Sequence, residues 1–180
     1  MQKNKPTPKK TERKVPVGIK YLINSELAYL KKEQILLNGS KNLVLKSLEY
    51  FYGKNKKPKM TLLAFSKSEI VSLLNSTAKF KGLRYVIAKS SYTGLPEQEF
   101  GLIMAFGVFD RLGSNKSIAV LKEFYRITKP NGIVIVTGNS INGLLKRYNN
   151  SNFQKAEIIE YKGMSYLKLV KLNEISMLPQ

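Results

Sequence analysis

The side chains that could carry chemistry in this sequence are mostly lysines. The 180 residues include 31 Lys and Arg against 12 Asp and Glu, for a formal net charge of +19, and there is no Cys, His or Trp. Without Cys and His, the chain cannot form a disulfide framework, a zinc finger, a Cys or His nucleophile or an imidazole base. Asp110 is its only aspartate, so a two-carboxylate site would need scattered glutamates. Conventional hydrolytic and redox chemistry is therefore largely excluded.

The positive surplus favours a polyanionic partner. A charge of this size concentrates polyanions near the protein and makes their affinity depend on salt through counterion release. A well-solvated, lysine-rich surface without a partner is the alternative. An anionic membrane surface fits less well, since no segment pairs a basic face with a broad apolar one. The charge therefore favours nucleic acid.

The basic residues that could contact RNA fall into three segments: the tail 1–18, the loop 54–59, and Lys146-Arg147. Residues 1–18 form a basic, proline-containing tail that we expect to be extended, and residues 19–180 form the folded domain. The loop 54–59 follows three aromatic residues, an arrangement suited to stacking and phosphate contact, although an aromatic core beside an exposed connection would look the same. The predicted RNA contacts are Lys3, Lys5, Lys9, Lys10, Arg13, Lys14, Lys54, Lys56, Lys57, Lys59, Lys146 and Arg147.

The elements that must position these residues alternate along the chain. Hydrophobic periodicity predicts helices over 20–38, 68–80 and 116–127, strands over 42–45, 61–65, 84–88, 100–106 and 133–136, and an antiparallel hairpin over 156–172. Strands alternating with helices predict a mostly parallel α/β sheet, and the hairpin adds antiparallel strands at its end. No run approaches a membrane span of about 18 apolar residues. We expect a cytoplasmic protein.

Several motifs occur in an order that resembles a known family. Leu95-Pro96 before Phe100-Gly101-Leu102-Ile103 is similar to "LP…FDLV", and Gly107 to Leu112 is similar to "vl-hl". The stretch from Lys122 to Gly132 resembles "E-RvLKPGG". Over residues 42–172 the chain thus resembles the class I S-adenosylmethionine-dependent methyltransferases. The resemblance implies their three-layer Rossmann-like fold, here with a C-terminal antiparallel hairpin and a basic N-terminal extension.

The positions to which the resemblance assigns the cofactor differ from the family pattern. The family has a glycine-rich loop after its first strand, and the stretch Lys46 to Tyr52, placed there, contains no glycine. Three acids of the family are replaced in this chain. Phe65 stands where the family has its ribose-binding acid, Lys89 stands where it has its adenine-side acid, and Gly101 stands where an acid begins its fourth strand. We therefore expect no cofactor, catalytic or metal-binding residues.

The predicted function is RNA binding without catalysis. The chain would be a structural component of a ribonucleoprotein such as the ribosome, with rRNA and neighbouring ribosomal proteins as partners. Two alternatives stay open: an active S-adenosylmethionine-dependent RNA methyltransferase with an atypical cofactor loop, and a pseudoenzyme subunit of an active partner. A slip of the alignment near residue 47 would hide a divergent cofactor loop.

Overall fold

The fold is organised around one seven-stranded sheet. The computed structural model describes residues 34–53, 59–89, 91–139, 141–146, 152–161 and 164–173. The strands lie in the order β3-β2-β1-β4-β5-β7-β6. They are β1 (Ile35–Gly39), β2 (Met60–Ala64), β3 (Leu83–Ile87), β4 (Phe100–Phe106), β5 (Thr128–Thr137), β6 (Lys155–Tyr161) and β7 (Met164–Val170).

The helices lie between the strands along the chain. They are α1 (Lys41–Gly53), α2 (Lys67–Thr77), α3 (Ser114–Ile127) and α4 (Ile141–Leu145), with a short 3-10 helix at Phe109–Arg111. No helix in the described ranges is both long enough and apolar enough to cross a bilayer.

β1 is an interior strand and is paired in parallel on both sides. It pairs with β2 through Leu37 and Leu62, and with β4 through Leu37 and Met104. The chain therefore winds outward from β1 in one direction to β3 and restarts on the other side at β4. This reversal creates a crevice between β1 and β4 at the carboxyl ends of the strands, which we call the carboxyl edge of the sheet.

Apolar side chains fill both faces of the sheet. One face packs against α1 and α2 through a cluster that includes Val44, Leu48 and Leu73, and the other packs against α3 and α4 through Val120 and Leu144. The seven residues of β4 are all buried, as expected for a central strand covered on both faces. This packing fixes where each strand ends.

The predicted class of fold is confirmed. The sheet is parallel from β3 to β5, and β7 then pairs antiparallel with both β5 and β6, which forms the predicted C-terminal hairpin. The strands predicted over 61–65, 84–88 and 100–106 and the helix over 116–127 agree with β2, β3, β4 and α3 to within two residues.

Two predicted elements near the start of the domain are wrong. Residues 35–38 form β1 rather than the end of a helix, and the predicted strand 42–45 lies in α1. Val44, Ser47, Leu48 and Phe51 are the buried residues of α1, and their spacing of three to four residues is that of a helix. Short apolar runs such as Leu43-Val44-Leu45 do not distinguish a strand from a buried helical turn. Residues 20–33 of the predicted helix and the predicted tail 1–18 lie outside the described residues.

Candidate functional site

A cleft opens at the carboxyl edge, where the strand order reverses. Its volume is about 460 Å³, within the range of small-molecule sites. It is lined by residues that end or follow three neighbouring strands: Asn38, Gly39, Phe65, Ser66, Ser68, Glu69, Gly107, Val108 and Leu112. In open α/β sheets this crevice is where ligands bind.

Gly39 allows the loop after β1 to turn tightly against β4. Its φ is +101°, and a Cβ at this position would lie 2.1 Å from the carbonyl oxygen of Phe106. The backbone N–H of Ser40 donates to the same oxygen at 2.8 Å. A residue with a side chain would push the loop away from β4, so glycine is required here. α1 begins directly after this turn, at Lys41.

Glu69 supplies the only carboxylate among the described residues that line the cleft. Ser66 is the N-cap of α2, and its hydroxyl accepts the Glu69 N–H at 3.2 Å. Glu69 Oε2 in turn accepts the Phe65 N–H at 2.8 Å, a reciprocal arrangement similar to a capping box. The other oxygen, Oε1, has no hydrogen bond within the described ranges. Sequence reasoning missed Glu69, although the pattern Ser66-x-x-Glu69 signals such a cap.

Asn38 holds the inner end of the cleft together. It is 1% exposed, and its Nδ2 donates to the carbonyl oxygen of Leu63 on β2 at 2.7 Å. Its Oδ1 has no hydrogen-bond partner among the residues that the structure describes. The side chain thus fixes the spacing of β1 and β2 where both strands reach the cleft.

Asp110 lies at the same edge, between the ends of β4 and β5. It is exposed and belongs to the 3-10 helix that follows β4. A Cβ on Gly138, the residue after β5, would lie 2.7 Å from both of its carboxylate oxygens. A Cβ on Gly107 would lie 3.6 Å from Oδ2. The glycine after β5 therefore makes room for this carboxylate beside the cleft, whereas a Cβ at Gly107 would make only an ordinary contact with it.

A buried ion pair anchors the loop before β4 to α3. Arg126 donates to both oxygens of Glu123, at 2.8 and 2.9 Å, and to the carbonyl of Leu95 at 2.7 Å. Thr93 donates to Glu123 through its N–H and its hydroxyl. Burial of Glu123 acts to raise its pKa, but the hydrogen bonds from Arg126 and Thr93 outweigh it and hold the pKa below the ordinary value. This network lies toward the amino ends of the parallel strands, the amino edge, and supports the scaffold.

The structure corrects the position of the loop after the first strand. Lys46 to Tyr52, predicted to replace a glycine-rich loop, lie within α1, and the turn after β1 contains Gly39. The register therefore differs from the predicted one, and the aromatic residues do not block the loop. Phe65 does lie after β2 and lines the cleft, and Lys89 is exposed after β3. Gly101 is buried at the amino end of β4, where its N–H donates to Gln34.

Two of the predicted RNA contacts fall within the described residues. Lys59 is exposed directly before β2, at the amino edge, and Lys146 is exposed directly after α4. Neither lines the cleft, and the structure does not bring them together in one patch. The other predicted contacts lie outside the described residues: Lys3, Lys5, Lys9, Lys10, Arg13, Lys14, Lys54, Lys56, Lys57 and Arg147. Their role in binding stays a prediction.

Comparison with known proteins identifies the domain. The family model described as a methyltransferase domain matches residues 46–136, half of the chain, from within α1 to the last residues of β5. No curated protein matches.

Solved structures share the fold at low sequence identity. A protein from Pyrococcus horikoshii has a TM-score of 0.68 and 12% identity, with 91% of this chain and 93% of that one covered. A SAM-dependent methyltransferase from Aquifex aeolicus has a TM-score of 0.65 and 15% identity, with 86% and 97% covered. For the CurJ carbon methyltransferase the TM-score is 0.66 and the identity 10%, and this chain covers only 50% of that one's length.

The family match overturns the predicted non-catalytic, ribosomal function. Nothing supports a degenerate site or a ribosomal role, and the expectation of no cofactor rested partly on the wrong loop. The predicted alternative, a methyltransferase, agrees better with the match and the fold. The chain belongs to the methyltransferase-domain family and has the Rossmann-like α/β fold of solved methyltransferase structures.

Proposed function

We propose that this chain is an S-adenosylmethionine-dependent methyltransferase that binds its methyl donor in the cleft between β1, β2 and β4. The observation that carries the proposal is the pairing, in one cleft, of the Gly39 turn with the Glu69 carboxylate. The turn lets a ligand approach the backbone at the start of α1, where N–H groups point outward. The carboxylate offers a negative acceptor to a cationic, hydroxyl-bearing ligand.

Glu69 compensates for the missing acid at the end of β2. The resemblance places a ribose-binding carboxylate at Phe65, whose side chain cannot accept a hydrogen bond. Glu69 Oε2 holds the N–H of that same residue at 2.8 Å, so its Oε1 is presented to the cleft beside the position of the missing acid. In the proposal, Oε1 accepts from the ribose hydroxyls, and the Phe65 ring forms an apolar wall against the nucleoside.

In the proposal, Asp110 is the carboxylate on the side of the cleft where the methyl acceptor binds. When bound, S-adenosylmethionine supplies an electrophilic methyl group, and much of the rate of such a transfer comes from positioning the two reactants. A neutral nitrogen or oxygen nucleophile releases a proton when it is methylated. Asp110, beside the cleft residues Gly107 and Val108, would take up that proton on Oδ1 or Oδ2.

Calorimetry with S-adenosylmethionine on the full-length protein tests the proposal. We expect saturable binding, weakened about tenfold in Glu69→Gln, because a charged acceptor contributes roughly 1.5–3 kcal/mol and tenfold corresponds to about 1.4 kcal/mol. Gln can still accept from the Phe65 N–H, so the α2 cap is retained. The control is Glu160→Gln, an exposed acid on β6, which should bind like the wild type. Absence of saturation at millimolar ligand in a folded sample would overturn the proposal.

A further inference from the structure

Three lysines follow the strands on one side of the cleft, at its mouth. Lys41 begins α1 after β1, Lys67 begins α2 after β2, and Lys89 follows β3 by two residues. All three are exposed, and we call them the mouth lysines. Parallel neighbours end at the same edge and lie about 4.8 Å apart, so these three strand ends span about 10 Å. The cations therefore form one cluster beside the cleft.

The mouth lysines have no acid partner among the described residues, unlike two of the cations near the opposite edge. Near the amino edge, Lys79 pairs with Glu49 at 2.9 Å, and Arg84 pairs with Glu99 at 2.6 Å. No ion pair within the described ranges includes a mouth lysine. The polar contact of Lys41 is the neutral Ser72 hydroxyl, at 2.9 Å from its Nζ. Their charges are therefore available to an external anion.

The sign of the charge differs between the interior of the cleft and one side of its opening. Glu69 lines the interior and Asp110 lies at the ends of β4 and β5, whereas the three lysines lie at the ends of β1, β2 and β3. A cationic methyl donor is attracted to the interior and gains nothing from the lysines. The mouth charges thus suit a second, anionic molecule that approaches from outside, which is where a methyl acceptor must arrive.

We propose that the methyl acceptor is a nucleic acid whose phosphates contact Lys41, Lys67 and Lys89. This inference rests on the proposed function and adds the class of substrate. A net charge of +19 attracts a polyanion at long range, which favours a nucleic acid over a small anion as the partner. Lysine binds phosphate as a point charge, so these contacts position the strand without reading its sequence.

The test compares two triple variants of the full-length protein in fluorescence anisotropy with an RNA oligonucleotide of about 20 nucleotides. One carries Lys41→Gln, Lys67→Gln and Lys89→Gln. The control carries Lys79→Gln, Lys81→Gln and Lys122→Gln, three exposed lysines away from the mouth that remove the same charge. The mouth variant should bind at least tenfold more weakly, and the slope of log affinity against log salt should fall by about 2, since each single-strand phosphate contact contributes about 0.7. The control slope should change by less than half as much.

The other outcomes are distinct. Equal losses in both triple variants would show that only net charge matters and would overturn the inference. Displacement of the RNA by polyglutamate as readily as by unlabelled RNA or DNA would assign the mouth to an acidic protein and would also overturn it. Calorimetry with S-adenosylmethionine separates the two proposals. If RNA binding depends on the mouth lysines but the cofactor does not bind, the proposed methyltransferase activity fails. If the cofactor binds normally but RNA binding does not depend on the mouth lysines, only the assignment of the substrate fails.

Discussion

The Asp110 carboxylate occupies the space that a side chain on Gly138 would need, at the ends of β4 and β5. A Cβ on Gly138 would lie 2.7 Å from each carboxylate oxygen, and the φ of this residue is +148°. The position of Asp110 beside the cleft therefore depends on a neighbour without a side chain.

Gly138→Ala should displace Asp110 and slow methyl transfer. The strained backbone should cost about 1–3 kcal/mol of unfolding free energy, and the carboxylate should swing away from its present place. We expect kcat to fall at least tenfold while the affinity for S-adenosylmethionine changes little. The control is Gly82→Ala, which also has a positive φ, +78°, but has nothing within 4 Å of an added Cβ. Equal kcat in the two variants would contradict the role of Asp110.

Phe65→Asp should strengthen cofactor binding. The substitution places a carboxylate at the end of β2, beside Glu69, and a further charged acceptor for the ribose hydroxyls should raise the affinity for S-adenosylmethionine about fivefold to tenfold. Phe65→Leu removes the ring without adding charge and serves as the control, measured in the same calorimetric titration. If both variants lose affinity equally, the ring itself is the important contact and the assignment of the ribose to this wall fails.

Glu123→Gln should change how stability depends on acid. The folded-state pKa of Glu123 is lowered, so its contribution is fully present above the ordinary value of about 4.5 and is lost as the pH falls through the folded pKa. At neutral pH we expect a loss of about 2 kcal/mol, because Arg126 loses its close carboxylate partner and, among the described residues, keeps only the exposed Glu97, at 3.9 Å. Urea unfolding from pH 7 to pH 3 measures both quantities. The difference between variant and wild type should shrink below about pH 4.5, and a constant difference would contradict the assignment.

Lys171→Met should destabilise the scaffold without changing the cleft. Lys171 is 8% exposed, and its Nζ donates to the carbonyls of Tyr125 and Thr128, at 3.0 and 2.9 Å, which end α3 and begin β5. Loss of these charge-assisted bonds at a helix C-terminus should cost about 1–2 kcal/mol in urea unfolding. The exposed Lys122→Met on α3 is the control and should be neutral. An altered affinity for S-adenosylmethionine in Lys171→Met would show that the two edges are coupled.

The later part of the fold could be predicted from the sequence because its signals are strong. Phe100 to Phe106 is a long buried run bounded by loops, and α3 has apolar residues at helical spacing over more than three turns. The strand β1 was missed because Ile35-Leu36-Leu37 continues the apolar stripe of the predicted helix, and periodicity alone cannot separate short apolar runs. That one error moved the cofactor loop onto α1 and made the site look blocked.

The candidate site was harder to predict because its acid is not at the position that the resemblance implies. Glu69 reaches the cleft because Ser66 caps α2 directly after β2. Glu69 therefore lies in the first turn of the helix, where its carboxylate accepts the N–H of Phe65. The charge of the chain favoured an anionic partner but carried no information on whether chemistry occurs, since function lies in the site rather than in net charge.

The contact of Lys171 with Thr128 has a consequence for the order of biosynthesis. The two residues are 43 positions apart, so the corner at which α3 turns into β5 lacks its capping cation until the chain has been translated past residue 171. Most of the sheet can assemble on the nascent chain, but this corner is completed only after the final hairpin has left the ribosomal exit tunnel. Truncation before residue 171 would therefore weaken the connection between α3 and β5, more than 40 residues earlier in the chain.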